Sequence, residues 1–119
     1  MATTVLIVDD HPSFRATARA LLEAEGYEVV GEAEDGESAL AAAAELAPQV
    51  VLLDIQLPDI DGFEVAARLL ARGNGSVPAI VLTSSRDRSD FGPLIAESGA
   101  RGFVPKGELS GAALAALLG

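Results

Sequence analysis

Asp9, Asp10, Asp54, Thr83 and Lys106 are the residues of this sequence whose types suit a common chemistry. Each follows a short apolar run. Three carboxylates gathered on one rim repel one another and need a cation. With oxygen donors and no Cys or His cluster, a hard divalent ion such as Mg²⁺ is the natural match. The Lys106 ammonium suits a phosphoryl oxygen, and the Thr83 hydroxyl can donate to another. A carboxylate beside a metal and two such donors can attack phosphorus, giving an aspartyl phosphate. The metal, Lys106 and Thr83 would then stabilise charge on the equatorial oxygens.

Each residue also has an ordinary explanation. The Asp9-Asp10 pair could close a solvated turn, Asp54 could cap a helix or turn, Lys106 could be a surface lysine and Thr83 a plain strand residue. Together these explanations require a separate coincidence at each of four strand ends. His11, a lone imidazole after Asp10, reads as an exposed spectator and supports no zinc site. In "VVLLDIQLPDIDG", Val50 to Gly62, Asp59 and Asp61 read as solvated loop acids around the Pro58 turn, which leaves Asp54 as the chemical one.

Convergence of these residues depends on the elements that carry them. "TVLIV" (Thr4 to Val8), "YEVV" (Tyr27 to Val30), "VVLL" (Val50 to Leu53), "AIVL" (Ala79 to Leu82) and "GFVP" (Gly102 to Pro105) are short and mostly apolar on consecutive residues. That pattern predicts strands covered on both faces, as in a parallel sheet between helices. The second run, with Glu28 in it and Glu32 just after it, is the more polar and is expected near an edge. Between the runs, helices are predicted over Phe14 to Glu25, Ser38 to Leu46, Phe63 to Ala71 and Gly111 to Leu118. Pro12 suits a first turn, Gly26, Pro48 and Gly73 are stop signals, and Ser110 is a suitable N-cap. The segment "SDFGPLIAESG" carries Gly92 and Pro93 where a fourth helix belongs. A proline inside a helix costs roughly 3 kcal/mol, so this helix should start near Pro93 or be distorted there.

The order is β-α five times, which predicts a doubly wound parallel sheet with right-handed crossovers. Ligands of such sheets bind outside the carboxyl ends of the strands, where the five residues fall.

The 119 residues suit one domain, residues 1–119, with no output domain, and half of them are apolar. Eight Lys plus Arg against 18 Asp plus Glu give a net charge of −10. That balance argues against holding nucleic acid or an anionic membrane surface directly. There are no cysteines, and "MATTVLIVDD" lacks the basic region of a secretion signal. A cytoplasmic location is expected, and "NGS" at Asn74 reads as a chance glycosylation match.

At this point the sequence resembles a family, the receiver domain of two-component response regulators. The matching stretches are "VLIVDDHPSFR" (Val5 to Arg15), "VVLLDIQLPDIDGFE" (Val50 to Glu64), "IVLTSS" (Ile80 to Ser85) and "GARGFVPKGEL" (Gly99 to Leu109), in order from Thr4 to Leu118. The His-Pro after the acid pair and "GFVPKGEL" look most like the NarL/FixJ group, whose receivers are joined to a LuxR-type output. The resemblance implies a flavodoxin-like (βα)5 fold with strand order 2-1-3-4-5. It implies that Asp54 accepts a phosphoryl group from a histidine kinase phosphohistidine. Asp10 and Asp54 would supply carboxylates to Mg²⁺, Asp9 would act mainly through water, and the Gln56 backbone carbonyl would join them. Thr83 and Lys106 match the phosphate-binding hydroxyl and lysine, and Phe103 the aromatic that changes rotamer with Thr83. Gln56 and Ser85 occupy positions that tune phosphoryl lifetime, and Pro58 and Gly62 shape the loop after the acceptor. The fourth helix, fifth strand and fifth helix would form the face read by an output domain or partner, and dimerisation on phosphorylation is implied as well.

The sequence departs from the family pattern in three places. Gly107 follows Lys106 where many receivers have a cis proline, so a looser loop is expected. Gly92 and Pro93 make a shortened helix and atypical output coupling the expectation. Phe103 has no hydroxyl, so a switch there would rest on packing. Other classes fit less well. A haloacid-dehalogenase-type phosphatase places a second acid two residues after its nucleophile, where this chain has Gln56. A Rossmann or P-loop domain needs a Gly-rich turn where "DDHPSF" stands. A degenerate receiver, acting as a phosphorylation-independent interaction module, is opposed by the intact Asp54, Thr83 and Lys106.

Overall fold

The structure is a computed structural model that describes residues 2–72 and 77–118. The Gly73 stop and the Asn74 match lie outside the described residues. Strands β1 (Thr4–Val8), β2 (Glu28–Ala33), β3 (Val50–Asp54), β4 (Ala79–Ser84) and β5 (Gly102–Pro105) alternate with helices α1 (Pro12–Ala24), α2 (Gly36–Leu46), α3 (Gly62–Leu70), α4 (Leu94–Glu97) and α5 (Gly111–Leu118). All neighbouring strands pair in parallel, in the order β2-β1-β3-β4-β5. The expected flavodoxin-like (βα)5 sheet is therefore the observed one, with the polar strand β2 at an edge.

Consecutive apolar residues in the strands serve two cores. Val5, Ile7, Val50, Leu52, Val81 and Val104 pack in one cluster with Ala18 and Leu22 of α1 and Leu114 of α5. Leu6, Val8, Val51, Leu53, Ile80, Leu82 and Phe103 pack in the other, with α2, α3 and Ile95 of α4. This alternation fixes the site, because side chains two residues apart share a face. Asp9 continues the row of Val5 and Ile7, Asp54 that of Val50 and Leu52, Thr83 that of Val81, and Lys106 that of Val104. All four thus belong to the α1–α5 side, at the ends of their strands.

The strand register then brings them abreast. Asp54 pairs with Thr83 and Thr83 with Val104. Asp9 lies one residue beyond the Val8–Leu53 pair, beside Asp54.

Most expected boundaries hold within two residues, and β2 shows where they do not. The expected strand stopped at Val30, but the register skips that residue: Val5 pairs with Val29 and Leu6 with Gly31, after which the strand continues to Ala33. The irregularity at Val30 is a β-bulge, and Gly31 and Glu32 beyond it end the apolar run that bounds the expected strand. Pro12 opens α1 as expected, and Gly26 beyond its end has a φ of 94°. The Ser110 hydroxyl accepts the Ala113 N–H at 3.0 Å, as an N-cap does. The segment around Gly92 and Pro93 is broken as expected. A 3-10 turn over Arg88–Phe91 is followed by the one-turn α4, which begins right after Pro93.

Candidate functional site

The carboxyl ends of β1, β3 and β5 converge on Asp9, Asp54 and Lys106. Asp9 is fully buried and Asp54 is 2% exposed. The Lys106 ammonium lies 2.6 Å from Asp9 Oδ2 and 3.2 Å from Asp54 Oδ2, and 4.7 Å from the centroid of the Phe14 ring on α1. Asp54 receives a hydrogen bond from Lys106, whereas Asp9 Oδ2 is in ion-pair contact with the same ammonium and accepts no hydrogen bond. Asp54 Oδ1 accepts the Gln56 N–H at 3.0 Å, and Asp9 Oδ1 accepts the His11 N–H at 2.8 Å.

These surroundings divide the two acids. Burial opposes the charge on Asp9, but Lys106 and the His11 N–H outweigh it and hold the carboxyl below its ordinary range. Burial and then repulsion from Asp9 push the Asp54 carboxyl up, against the Gln56 N–H and Lys106. Burial also opposes the charge on Lys106, and the two carboxylates overcome it, raising the ammonium above its usual value.

Asp9, Asp10, His11 and Asp54 each offer a ligand atom, and these atoms lie within 4.8 Å of one another. The acidic cluster could therefore bind a metal. The donor set fits a hard divalent ion: three carboxylates, one of them carrying a buried oxygen without a hydrogen bond. His11 is exposed as expected, yet it is no spectator. Its Nδ1 sits 3.0 Å from both Asp9 Oδ1 and Asp10 Oδ1.

Other expected residues are more dispersed. The buried Thr83 hydroxyl donates to the Val104 carbonyl at 2.6 Å, a bond along the sheet to β5. Phe103 is buried and is the last of an aromatic row, with Phe63–Phe91 and Phe91–Phe103 centroids each 6.0 Å apart. The Ser85 side chain is exposed, whereas the preceding Ser84 is buried. Its hydroxyl accepts the Arg86 N–H at 3.0 Å and approaches Gln56 Oε1 at 3.5 Å. Lys106 joins Gly107 by a trans bond, like every peptide among the described residues.

The reading of Asp59 and Asp61 as merely solvated is corrected. Asp59 accepts the Gly36 and Glu37 N–H groups at 2.7 and 2.9 Å, tying the loop after β3 to the start of α2. Those N–H bonds, Gly36 first, lower its carboxyl to about 2. Asp61 caps α3 by accepting the Glu64 N–H at 2.9 Å. Both are acids at helix starts, where free N–H groups and the helix dipole favour negative charge. Asp35 similarly caps α2 in a capping box with Ser38. At Gly62 the backbones close up: a Cβ would stand 2.5 Å from the Asp54 carbonyl oxygen and 2.7 Å from Ile55 Cα. Only glycine fits there.

Fold and site together define a flavodoxin-like domain with a buried acid, a second acid and a lysine meeting at the carboxyl rim of its sheet. The chain belongs to the response regulator receiver domain family, whose model matches residues 5–117. It is 45% identical over 109 residues to the virulence factors putative positive transcription regulator BvgA of Bordetella pertussis, a match covering 91% of this chain and 51% of that protein. It is 40% identical over 104 residues to the response regulator GacA of Pseudomonas aeruginosa, covering 87% of this chain and 48% of that one. Among solved structures, the signal receiver domain of the putative response regulator NarL from Mycobacterium tuberculosis superposes with a TM-score of 0.84 at 34% identity, over 99% of this chain and 98% of that one. The chain spans about half the length of these curated relatives. Among the described residues, no helix is long and apolar enough to cross a membrane.

Proposed function

We propose that Asp54 is the phosphoacceptor of this receiver domain and takes its phosphoryl group from a histidine kinase phosphohistidine. One observation carries the reading. A nearly buried carboxylate is held between the Gln56 N–H and the Lys106 ammonium, beside the buried Asp9. In the transfer an Asp54 carboxylate oxygen attacks phosphorus. The new P–O bond forms as the P–N bond breaks, and the imidazole nitrogen keeps its electron pair. Lys106 is already fixed next to the acceptor oxygen, so it needs no reorganisation to meet charge developing on the phosphoryl group. The Gln56 N–H orients the carboxylate by holding its other oxygen.

Asp10, Asp54 and the Gln56 backbone carbonyl would hold Mg²⁺, with Asp9 acting through water. The ion supplies neutralisation of the carboxylate cluster and of the phosphoryl oxygens.

Thr83 must exchange its bond to the Val104 carbonyl for one to the phosphoryl group. Freeing that carbonyl loosens β5 next to Phe103, whose ring rests on Phe91 at the entrance to α4. We assign to this path the switching of the α4, β5 and α5 face for an output domain or protein partner, or for a phosphorylation-dependent homodimer. Gln56 and Ser85 stand at the rim, where side chains govern water access and so phosphoryl lifetime. The domain catalyses only its own phosphorylation and dephosphorylation, binds no nucleic acid directly and works in the cytoplasm.

The test is the intact mass of wild type and Asp54→Ala after incubation with Mg²⁺ and acetyl phosphate. An acid-stable, alkali-labile adduct present only in the wild type supports the proposal. Equal adducts in both proteins, or none with small donors and kinase alike, would overturn it.

A further inference from the structure

Arg15 has no part in the proposed phosphoryl transfer, although it reaches the site from behind. It lies on the second turn of α1 with a side chain only 15% exposed. Its Nη1 donates to the Asp9 main-chain carbonyl at 2.5 Å, and its Nε donates to Glu32 Oε1 on the edge strand at 3.0 Å. Arg19, one turn on, donates from Nε to the other oxygen of Glu32 at 2.7 Å. The chain Arg19–Glu32–Arg15 therefore ends on one backbone carbonyl.

That carbonyl belongs to the peptide joining Asp9 to Asp10, which carry two of the cluster's three carboxylates. A peptide unit is planar, so fixing its oxygen limits rotation on both sides at once. The rest of Asp9 is fixed as well: its N–H donates to the Ala33 carbonyl at 3.0 Å and its carboxylate accepts the His11 N–H. His11 Nδ1, 3.0 Å from both Asp9 Oδ1 and Asp10 Oδ1, touches the two carboxylates from the loop side, and Arg15 holds the main chain between them from behind.

We infer that Arg15 is a positioning residue for divalent-cation binding, clamping the Asp9–Asp10 peptide plane with Glu32 as its anchor. Glu32 serves a second purpose. A bare guanidinium behind the cluster would repel a divalent ion, and the carboxylate neutralises it. The pairing of a planar, forked donor with two acceptors in fixed directions also explains why lysine would not substitute.

The inference rests on the proposed Mg²⁺ site and makes a prediction opposite to that of simple electrostatics. As a mere positive charge, Arg15 would weaken cation binding, and its removal would tighten it. As a clamp, its removal weakens binding. Mg²⁺ titrations of the whole chain, followed through backbone amide shifts of Asp10 and Gln56, separate the two. Outer partners of metal ligands commonly change affinity by about 10-fold to 100-fold. Here Arg15→Gln is expected to raise the Mg²⁺ Kd by roughly tenfold at this lower end, and Arg15→Lys, which keeps the charge, to raise it also. Glu32→Gln should weaken binding as well, because it leaves the Arg15 guanidinium behind the cluster without its counter-charge. Thermal unfolding without Mg²⁺ runs in parallel. A Kd equal to wild type in both Arg15 variants, or a tighter one in Arg15→Gln, overturns the inference, whatever happens to stability. Failure of the underlying site looks different: wild type and Asp54→Asn would then bind Mg²⁺ equally or not at all.

Discussion

The Thr83 hydroxyl and the Val104 carbonyl are joined by a 2.6 Å hydrogen bond between paired residues of β4 and β5. In this state the hydroxyl is engaged by the neighbouring strand, and Asp54 has Lys106 as its side-chain donor. Removing the hydroxyl while keeping the shape, as in Thr83→Val, should cost about 1 kcal/mol of stability. The same variant should uncouple the strand from the acceptor. On addition of Mg²⁺ and acetyl phosphate, the Phe103 and Val104 amides should shift in wild type but barely in Thr83→Val, as measured by amide NMR. Equal shifts in both would show that the signal reaches β5 by another route.

Asp54 is disfavoured as a carboxylate by burial and by Asp9. A neutral isostere should therefore stabilise the fold when no divalent ion is present. Asp54→Asn is expected to gain on the order of 1 kcal/mol in urea unfolding in the presence of a chelator, a common size for single-site changes. The gain should shrink when Mg²⁺ is added, because the ion stabilises only the protein that binds it.

Asp59 carries the pH dependence most open to measurement. Its folded carboxyl titrates at about 2, below the ordinary value of 3.8. A lowered pKa means that the folded state holds the charge more firmly than the unfolded one. The stabilisation is thus complete above the ordinary value and disappears as pH falls from there through about 2. Wild type should melt higher than Asp59→Asn at pH 7, and the two curves should draw together in that acid window. A gap independent of pH would assign the effect to packing of the loop instead.

Gly62→Ala should be among the most damaging single methyl additions. The new carbon would meet backbone of Asp54 and Ile55, which cannot step aside as a side chain can. A loss of roughly 1–3 kcal/mol is expected, the range for an overpacked site. Adduct formation from acetyl phosphate should fall too, because the atoms displaced include those of Asp54, the proposed acceptor. Gly107→Ala makes the control, since a Cβ there meets nothing within 4 Å.

Much of this arrangement was legible in the chain because strands buried on both faces announce themselves as unbroken apolar runs. Their ends then locate Asp9, Asp54 and Lys106 without further information. What escaped was set by contacts distant in sequence. Asp59 looks like any loop acid until its partners, Gly36 and Glu37, are seen at the start of another helix. Nothing in the chain singles out Arg15, because neither Glu32 nor the Asp9 carbonyl shares its helix. The last residues of β2 escaped because Gly31 and Glu32 end the apolar run, while the pairing with β1 carries the strand past them. The direction of the Thr83 hydroxyl depends on a rotamer, which no spacing rule contains.

The broken segment before β5 has a mechanical meaning. A long helix behaves as a stiff rod, and moving it means moving its whole packed face. Here the chain between Asp87 and Ser98 is a 3-10 turn, a Gly92 with a φ of 56°, and a single α-helical turn anchored by Ile95. Such a segment has the build of a short-armed hinge. If Phe103 shifts on phosphorylation as proposed, only the few main-chain bonds of this stretch would have to be remade, and the change would stay local to the 3-10 turn and α4.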